Sequence, residues 1–144
     1  MKVSDVMTKN VETVRPDQPA REAARFMLQA DAGSIPVTDG DRLVGMITDR
    51  DIAVRGIAKG KGPDTSVRDV MTDHVDYCFE DQDVEEVTKN MADIKVRRLP
   101  VLNRDKRLVG IISLGDIAQA GGRKTDKALG EISRPGGEHT TQRT

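Results

Sequence analysis

A hydroxyl residue followed three positions later by a carboxylate occurs twice in similar surroundings. Gly45-Met46-Ile47-Thr48-Asp49-Arg50-Asp51 is matched by Gly110-Ile111-Ile112-Ser113-Leu114-Gly115-Asp116. The shared skeleton is Gly, two apolar residues, a hydroxyl, two variable residues and Asp. At the start of a helix this spacing makes a capping box, in which each side chain satisfies the other's backbone N–H. The same geometry can also do binding chemistry. Free N–H groups at a helix start favour a phosphate, and a carboxylate one turn in can accept from both hydroxyls of a ribose. Taken alone, the motif leaves structural and binding roles equally open.

The motif is one part of a longer duplication. Val3-Ser4-Asp5-Val6-Met7-Thr8 returns as Val67-Arg68-Asp69-Val70-Met71-Thr72, and Ile35-Pro36-Val37 as Leu99-Pro100-Val101. Arg42-Leu43-Val44-Gly45 returns as Arg107-Leu108-Val109-Gly110, with one residue gained in the preceding turn. Each half has roughly 60 residues, too few to bury a sufficient core alone, so the two copies should pack as one module.

In each copy the hydrophobic period changes in the same order. Val11 to Val14 and Val75 to Phe79 read as short strands. Ala20, Ala23, Ala24, Met27 and Leu28 fall on one helical face, as do Val84, Val87, Met91 and Ala92. Asp17 and Asp81 are placed to cap these helices. Ile35 to Thr38 and Leu43 to Thr48 form a predicted hairpin about Asp39-Gly40-Asp41. Its counterpart joins Leu99–Leu102 to Leu108–Ser113, and a second helix follows each hydroxyl. The predicted fold is α/β, two pseudo-symmetric β-α-β-β-α repeats packed through their sheets. Repeat 1 takes residues 1–58, a linker 59–66, and repeat 2 residues 67–121. A polar extension covers 122–144, with a short helix expected over Asp126 to Ile132 and a disordered tail from Pro135.

Composition narrows the partners. With 23 Lys+Arg against 24 Asp+Glu and a net charge of −1, nothing draws the chain to nucleic acid or an anionic membrane. Its only aromatic residues are Phe26, Tyr77 and Phe79, which offer no stacking platform for single strands. A lone cysteine, Cys78, and the absence of an apolar span or signal region suggest a cytoplasmic protein. His74, Asp76 and Cys78 alternate along one segment and could share a face as metal ligands must. The first copy has Asn10, Glu12 and Val14 there, so no metal site is expected. No Ser/His or Cys/His pairing recurs, and no catalytic residue is assigned.

The element order, the apolar-Pro-Val strand and the duplicated Gly-x-x-[Ser/Thr]-x-x-Asp step together resemble a tandem pair of cystathionine-β-synthase (CBS) domains, a Bateman module, over about residues 1 to 120. The resemblance implies a stand-alone regulatory sensor that takes an adenosine-containing ligand (AMP, ADP, ATP or an NAD-type molecule) between its repeats. A homodimer, an unknown effector protein and no catalytic cofactor follow from it. In one cleft it implies Asp116 on ribose, Ser113 near ribose and phosphate, Arg97 and Arg98 on phosphate, Ile111 beside them, and backbone near Glu12 and Ala32 on adenine. In the other it implies Asp51 and Thr48, with backbone near Asp76 and Val96. There Ser34 stands where the first cleft has Arg98, and Arg50 is placed to supply the missing charge. A structural dimerisation module with empty clefts, or a small enzyme, is the alternative.

Overall fold

The computed structural model describes the backbone of residues 1–129 and the side chains of residues 1–121. Repeat 1 contains α1 (Ala20–Ala30), β1 (Ser34–Asp39) and β2 (Arg42–Thr48), followed by a π-helical turn over Asp51–Gly56 and a 3-10 turn over Ile57–Lys59. Repeat 2 contains α2 (Val67–Val70), β3 (Cys78–Phe79), α3 (Val84–Ile94), β4 (Arg98–Leu102), β5 (Leu108–Ser113) and α4 (Leu114–Leu129). A 3-10 turn over Val3–Asp5 precedes everything.

The hairpins form as the sequence predicts, and they match in detail. Each is antiparallel, with a register shift at Val37/Thr38 in one and Val101/Leu102 in the other. The added residue of the second copy lies in its turn, where the Asn103 side chain accepts from the N–H groups of Asp105 and Arg107. The opening strands are shorter than expected. Val14 makes only an isolated parallel bridge to Val37, and the second strand shrinks to Cys78–Phe79.

Helix starts also differ from expectation. Pro19 and Asp83 occupy the cap positions, with no side-chain cap bond at either. Asp17 pairs instead with Arg15, and Asp81 forms a bidentate pair with Arg104. That guanidinium holds the Asp81 carboxyl below the usual carboxylate range. The side chains that shape each turn are Gln18 and Gln82, which accept from the N–H groups of Arg15 and Phe79 at 2.8 Å. Both helices end on a left-handed residue, Asp31 at φ 51° and Lys95 at φ 58°. The apolar stripes are narrower than read: Ala23, Met27, Val87 and Met91 are buried, while Ala24, Leu28 and Ala92 are exposed.

Two core clusters result, and each takes in a lead-in segment from the other repeat. Val67 and Val70, assigned by sequence to repeat 2, are buried with Val14, Ala23, Met27, Val37 and Ile47 of repeat 1. Val3, at the start of repeat 1, is buried with Cys78, Val87, Met91, Val101 and Ile112 of repeat 2. Each hydrophobic lead-in segment has thus crossed to the other half. A fully buried valine of this kind contributes about 1.5–3 kcal/mol, enough to fix the crossing. Thr8 exchanges backbone bonds with Ile111 (2.8 and 3.0 Å) and Thr72 with Met46 (2.8 and 2.9 Å), so each segment also extends a sheet edge.

The glycine of the duplicated motif is explained by the same crossing. A Cβ on Gly110 would lie 2.7 Å from Met7 Sδ and 2.8 Å from the Thr8 carbonyl oxygen. On Gly45 it would meet Met71 Sδ and the Thr72 carbonyl oxygen at those same distances. α4 runs unbroken through Gly121-Gly122 to Leu129, past the predicted end of repeat 2 and through part of the predicted short helix. The expected tail from Pro135 lies outside the described residues.

Candidate functional site

The hairpin, the crossing segment and the helix start meet at one point in each half. In repeat 2 the Ser113 N–H donates to Asp116 Oδ2 (3.2 Å) and the Asp116 N–H to Ser113 Oγ (3.0 Å). In repeat 1 the Thr48 N–H donates to Asp51 Oδ2 and the Asp51 N–H to Thr48 Oγ1, both at 3.0 Å. The capping box is therefore real in both copies. It also fixes each carboxylate's position, because neither can rotate without losing a backbone partner.

A cleft of about 280 Å³ opens between the two repeats beside Asp116. Its walls include Asp116, Ser113, Ile111, Arg98, Ser34, Glu12 and Ala32, so seven residues singled out from the sequence converge there. Ser34, expected in the other cleft, faces this one because β1 and β4 begin on either side of it. Arg97 is not part of the wall; its backbone carbonyl accepts from the Leu114 N–H, and only its neighbour Arg98 reaches the cleft. The Ala32 N–H is used by the Met27 carbonyl at the end of α1. The Ala32 carbonyl accepts no hydrogen bond among the described residues, which leaves it for a ligand.

Thr48 and Asp51 form the mirrored cluster. Arg50, next to Asp51 in the chain, is exposed, its N–H taken by the Asp49 carboxylate, and Asp76 is exposed as well. Val96 packs its side chain on the repeat 2 core, and its N–H is bonded to the Met91 carbonyl.

Sequence reasoning missed Thr8 and Thr72. The Thr8 hydroxyl donates to Asp116 Oδ2 (3.5 Å), and the Thr72 hydroxyl lies 3.4 Å from both Asp51 oxygens. The signal was the duplicated Met-Thr ending of the lead-in segments, legible as a pattern but not as a site until the crossing was known. Among the described residues no group of three His, Cys, Asp or Glu gathers to hold a metal. Cys78 is buried in the core, which pushes its thiol up to about 12.

This architecture of paired repeats with a cleft between them is that of a known family. The sequence profile of the CBS domain matches residues 3–55 and 67–122, and the chain belongs to the CBS-domain family, with two CBS domains in tandem. It is 41% identical over 133 residues to the CBS domain-containing protein YhcV of Bacillus subtilis, an alignment covering 91% of this chain and 94% of that one. Its fold is similar to the CBS domain pair of protein MJ0100 in complex with 5-methylthioadenosine and S-adenosyl-L-methionine. For that pair the TM-score is 0.74 and identity 30%, covering 86% of this chain and 98% of the other. It is also similar to CBSX2 in complex with AMP, with a TM-score of 0.76, 27% identity, and coverage of 86% and 98%. Adenosine-containing ligands are thus bound by related CBS pairs.

Proposed function

We propose that this protein is a regulatory sensor that binds an adenine nucleotide in the cleft beside Asp116 and catalyses nothing itself. The observation that carries the reading is the Asp116 carboxylate. It is held at a helix start, in the wall of an inter-repeat cleft, and no described residue is bonded to its Oδ1. A ribose donates two adjacent hydroxyls, and a carboxylate in that position accepts them. Arg98, in the same wall, supplies charge for a phosphate. The open Ala32 carbonyl accepts from the amino group of adenine and would oppose the carbonyl of guanine. A cleft of about 280 Å³ lies near the lower end of the usual range for ligand pockets, about 300–1,000 Å³. AMP bound to CBSX2 and the adenosine compounds bound to MJ0100 support the class of ligand.

The working unit in this reading is a homodimer. Leu28 is 83% and Ile57 71% exposed. Ile57 also lines an apolar groove of about 380 Å³, walled by Ala20, Ala24, Ile52, Gly56 and Pro63. A second copy covering this helical face would hide it, and a two-fold axis is the commonest way to close such a contact. An unidentified effector protein would read the nucleotide-dependent state.

Calorimetry with AMP, adenosine and GMP tests the ligand. AMP should bind tightest, GMP should not compete, and Asp116→Asn should weaken AMP at least about tenfold, the loss expected for hydrogen bonds to a charged acceptor. Unchanged AMP affinity in Asp116→Asn would refute the assignment. Sedimentation over a concentration series tests the dimer, and a monomer throughout would remove it.

A further inference from the structure

Among the positions at which the two clusters differ, one puts a charge beside the acid itself. Arg55, four positions after Asp51, lies on the π-helical turn with its Nε 4.0 Å from Asp51 Oδ1. Its Nη1 donates to the Met71 carbonyl at 2.9 Å, next to Thr72, whose hydroxyl also reaches Asp51. With Oδ2 accepting from the Thr48 N–H, both oxygens of Asp51 are engaged within the protein. The Asp51 side chain is only 13% exposed. The matching position in repeat 2 is Ala120, buried and without a charge to offer.

We infer that Arg55 makes the two clusters unequal: it serves as an internal counter-ion for Asp51, so that a nucleotide binds at Asp116 and not at Asp51. The inference rests on the ribose reading of Asp116 given above. A guanidinium close to a partly desolvated carboxylate lowers its negative potential, and with it the strength of any hydrogen bond it accepts from a neutral hydroxyl. A ribose at Asp51 would also have to compete with Thr72 for the same oxygens. At Asp116 the only side-chain competitor among the described residues is Thr8, at 3.5 Å and on Oδ2. Arg55 further ties Asp51 to the crossing segment through the Met71 carbonyl, so the acid cannot swing toward a ligand without breaking two contacts.

The test is the stoichiometry of AMP on the full chain by calorimetry. Wild type should bind one AMP per chain, and Asp116→Asn should lose it. Arg55→Gln drops the charge while keeping an amide able to reach the Met71 carbonyl, so the fold is spared if Arg55→Ala proves unstable. Arg55→Gln should bind two AMP per chain. The double variant Asp116→Asn/Arg55→Gln should retain one, at Asp51. Two equal sites in wild type would overturn the inference and leave the ribose reading standing. So would a single site in Arg55→Gln. A loss of AMP in Arg55→Gln would make the arginine a ligand contact and overturn it as well. No binding of AMP by any variant would overturn the ribose reading and this inference together.

Discussion

The stretch after Thr48 and the stretch after Ser113 begin alike and end differently. Both start with a reciprocal capping box, and both continue Asp-Ile-Ala. The first then widens into a π-helical turn, tightens into a 3-10 turn and stops at left-handed Gly60, whereas the second is regular helix to Leu129. Many residues facing the interior are kept between the copies, and the changes gather after the shared Asp-Ile-Ala. Arg55 against Ala120 is one such divergence, and exposed Ile57 against Gly122 another. The duplication therefore shows which residues the fold demands. The departures from it show where the halves acquired separate work.

The interior half of this comparison is broken most severely at the paired glycines. Gly110→Ala and Gly45→Ala should each cost about 3 kcal/mol in urea unfolding, typical of overpacking against backbone that cannot move. The methionine could swing away, but the Thr8 and Thr72 carbonyls are held by the Ile111 and Met46 N–H groups. A cost at only one of them would mean that the two crossings are not equivalent.

Cys78 occupies the position that Val14 holds in the other core. Its thiol is raised to about 12 by burial, while the unfolded thiol ionises near its ordinary value. The stability this contributes is complete below the unfolded value and is lost as pH rises toward the folded one, at about 1.4 kcal/mol per pH unit. Cys78→Val should therefore flatten the decline in stability measured between pH 9 and pH 12. An unchanged alkaline slope would place the titration elsewhere.

The caps should respond more mildly. Thr48→Ala and Ser113→Ala should each cost about 1 kcal/mol, read from the shift of the urea midpoint. If Ser113→Ala also weakens AMP while Thr48→Ala does not, the functional inequality of the clusters is sharpened. Smallest of all, Asp31→Gly and Lys95→Gly should raise stability by a few tenths to about 1 kcal/mol, because each relieves a left-handed residue at a helix end. A loss at either would show that its side chain contributes more than its backbone strain costs.

Most of the fold could be read from the chain because its signals were local and repeated. The hairpins, α1, α3 and the capping boxes follow from period, turn residues and spacing. Reading failed where position depends on something distant in sequence. Val11 to Val14 and Val75 to Phe79 alternate like strands but meet too little sheet edge to pair along their length. Val3 and Val67 are apolar in the right places, yet no local rule says whose core they enter. Within the site, Asp116, Ser113, Arg98, Glu12 and Ala32 were legible through the family pattern. Thr8 and Arg55 were not, since the first arrives by the crossing and the second acts by standing where its counterpart is Ala.

The exchange of lead-in segments also sets an order of events during synthesis. No stretch ending before Val70 contains a closed core, because the first hydrophobic cluster needs residues that emerge only after the linker. Met1 to Thr8 are made well before their seat, which Gln82, Val87 and Ile111 provide. The usual course, in which an N-terminal unit folds while the remainder is still being made, is closed to this chain. Its two halves must complete each other, so the closing of long loops should limit folding more than the forming of helices.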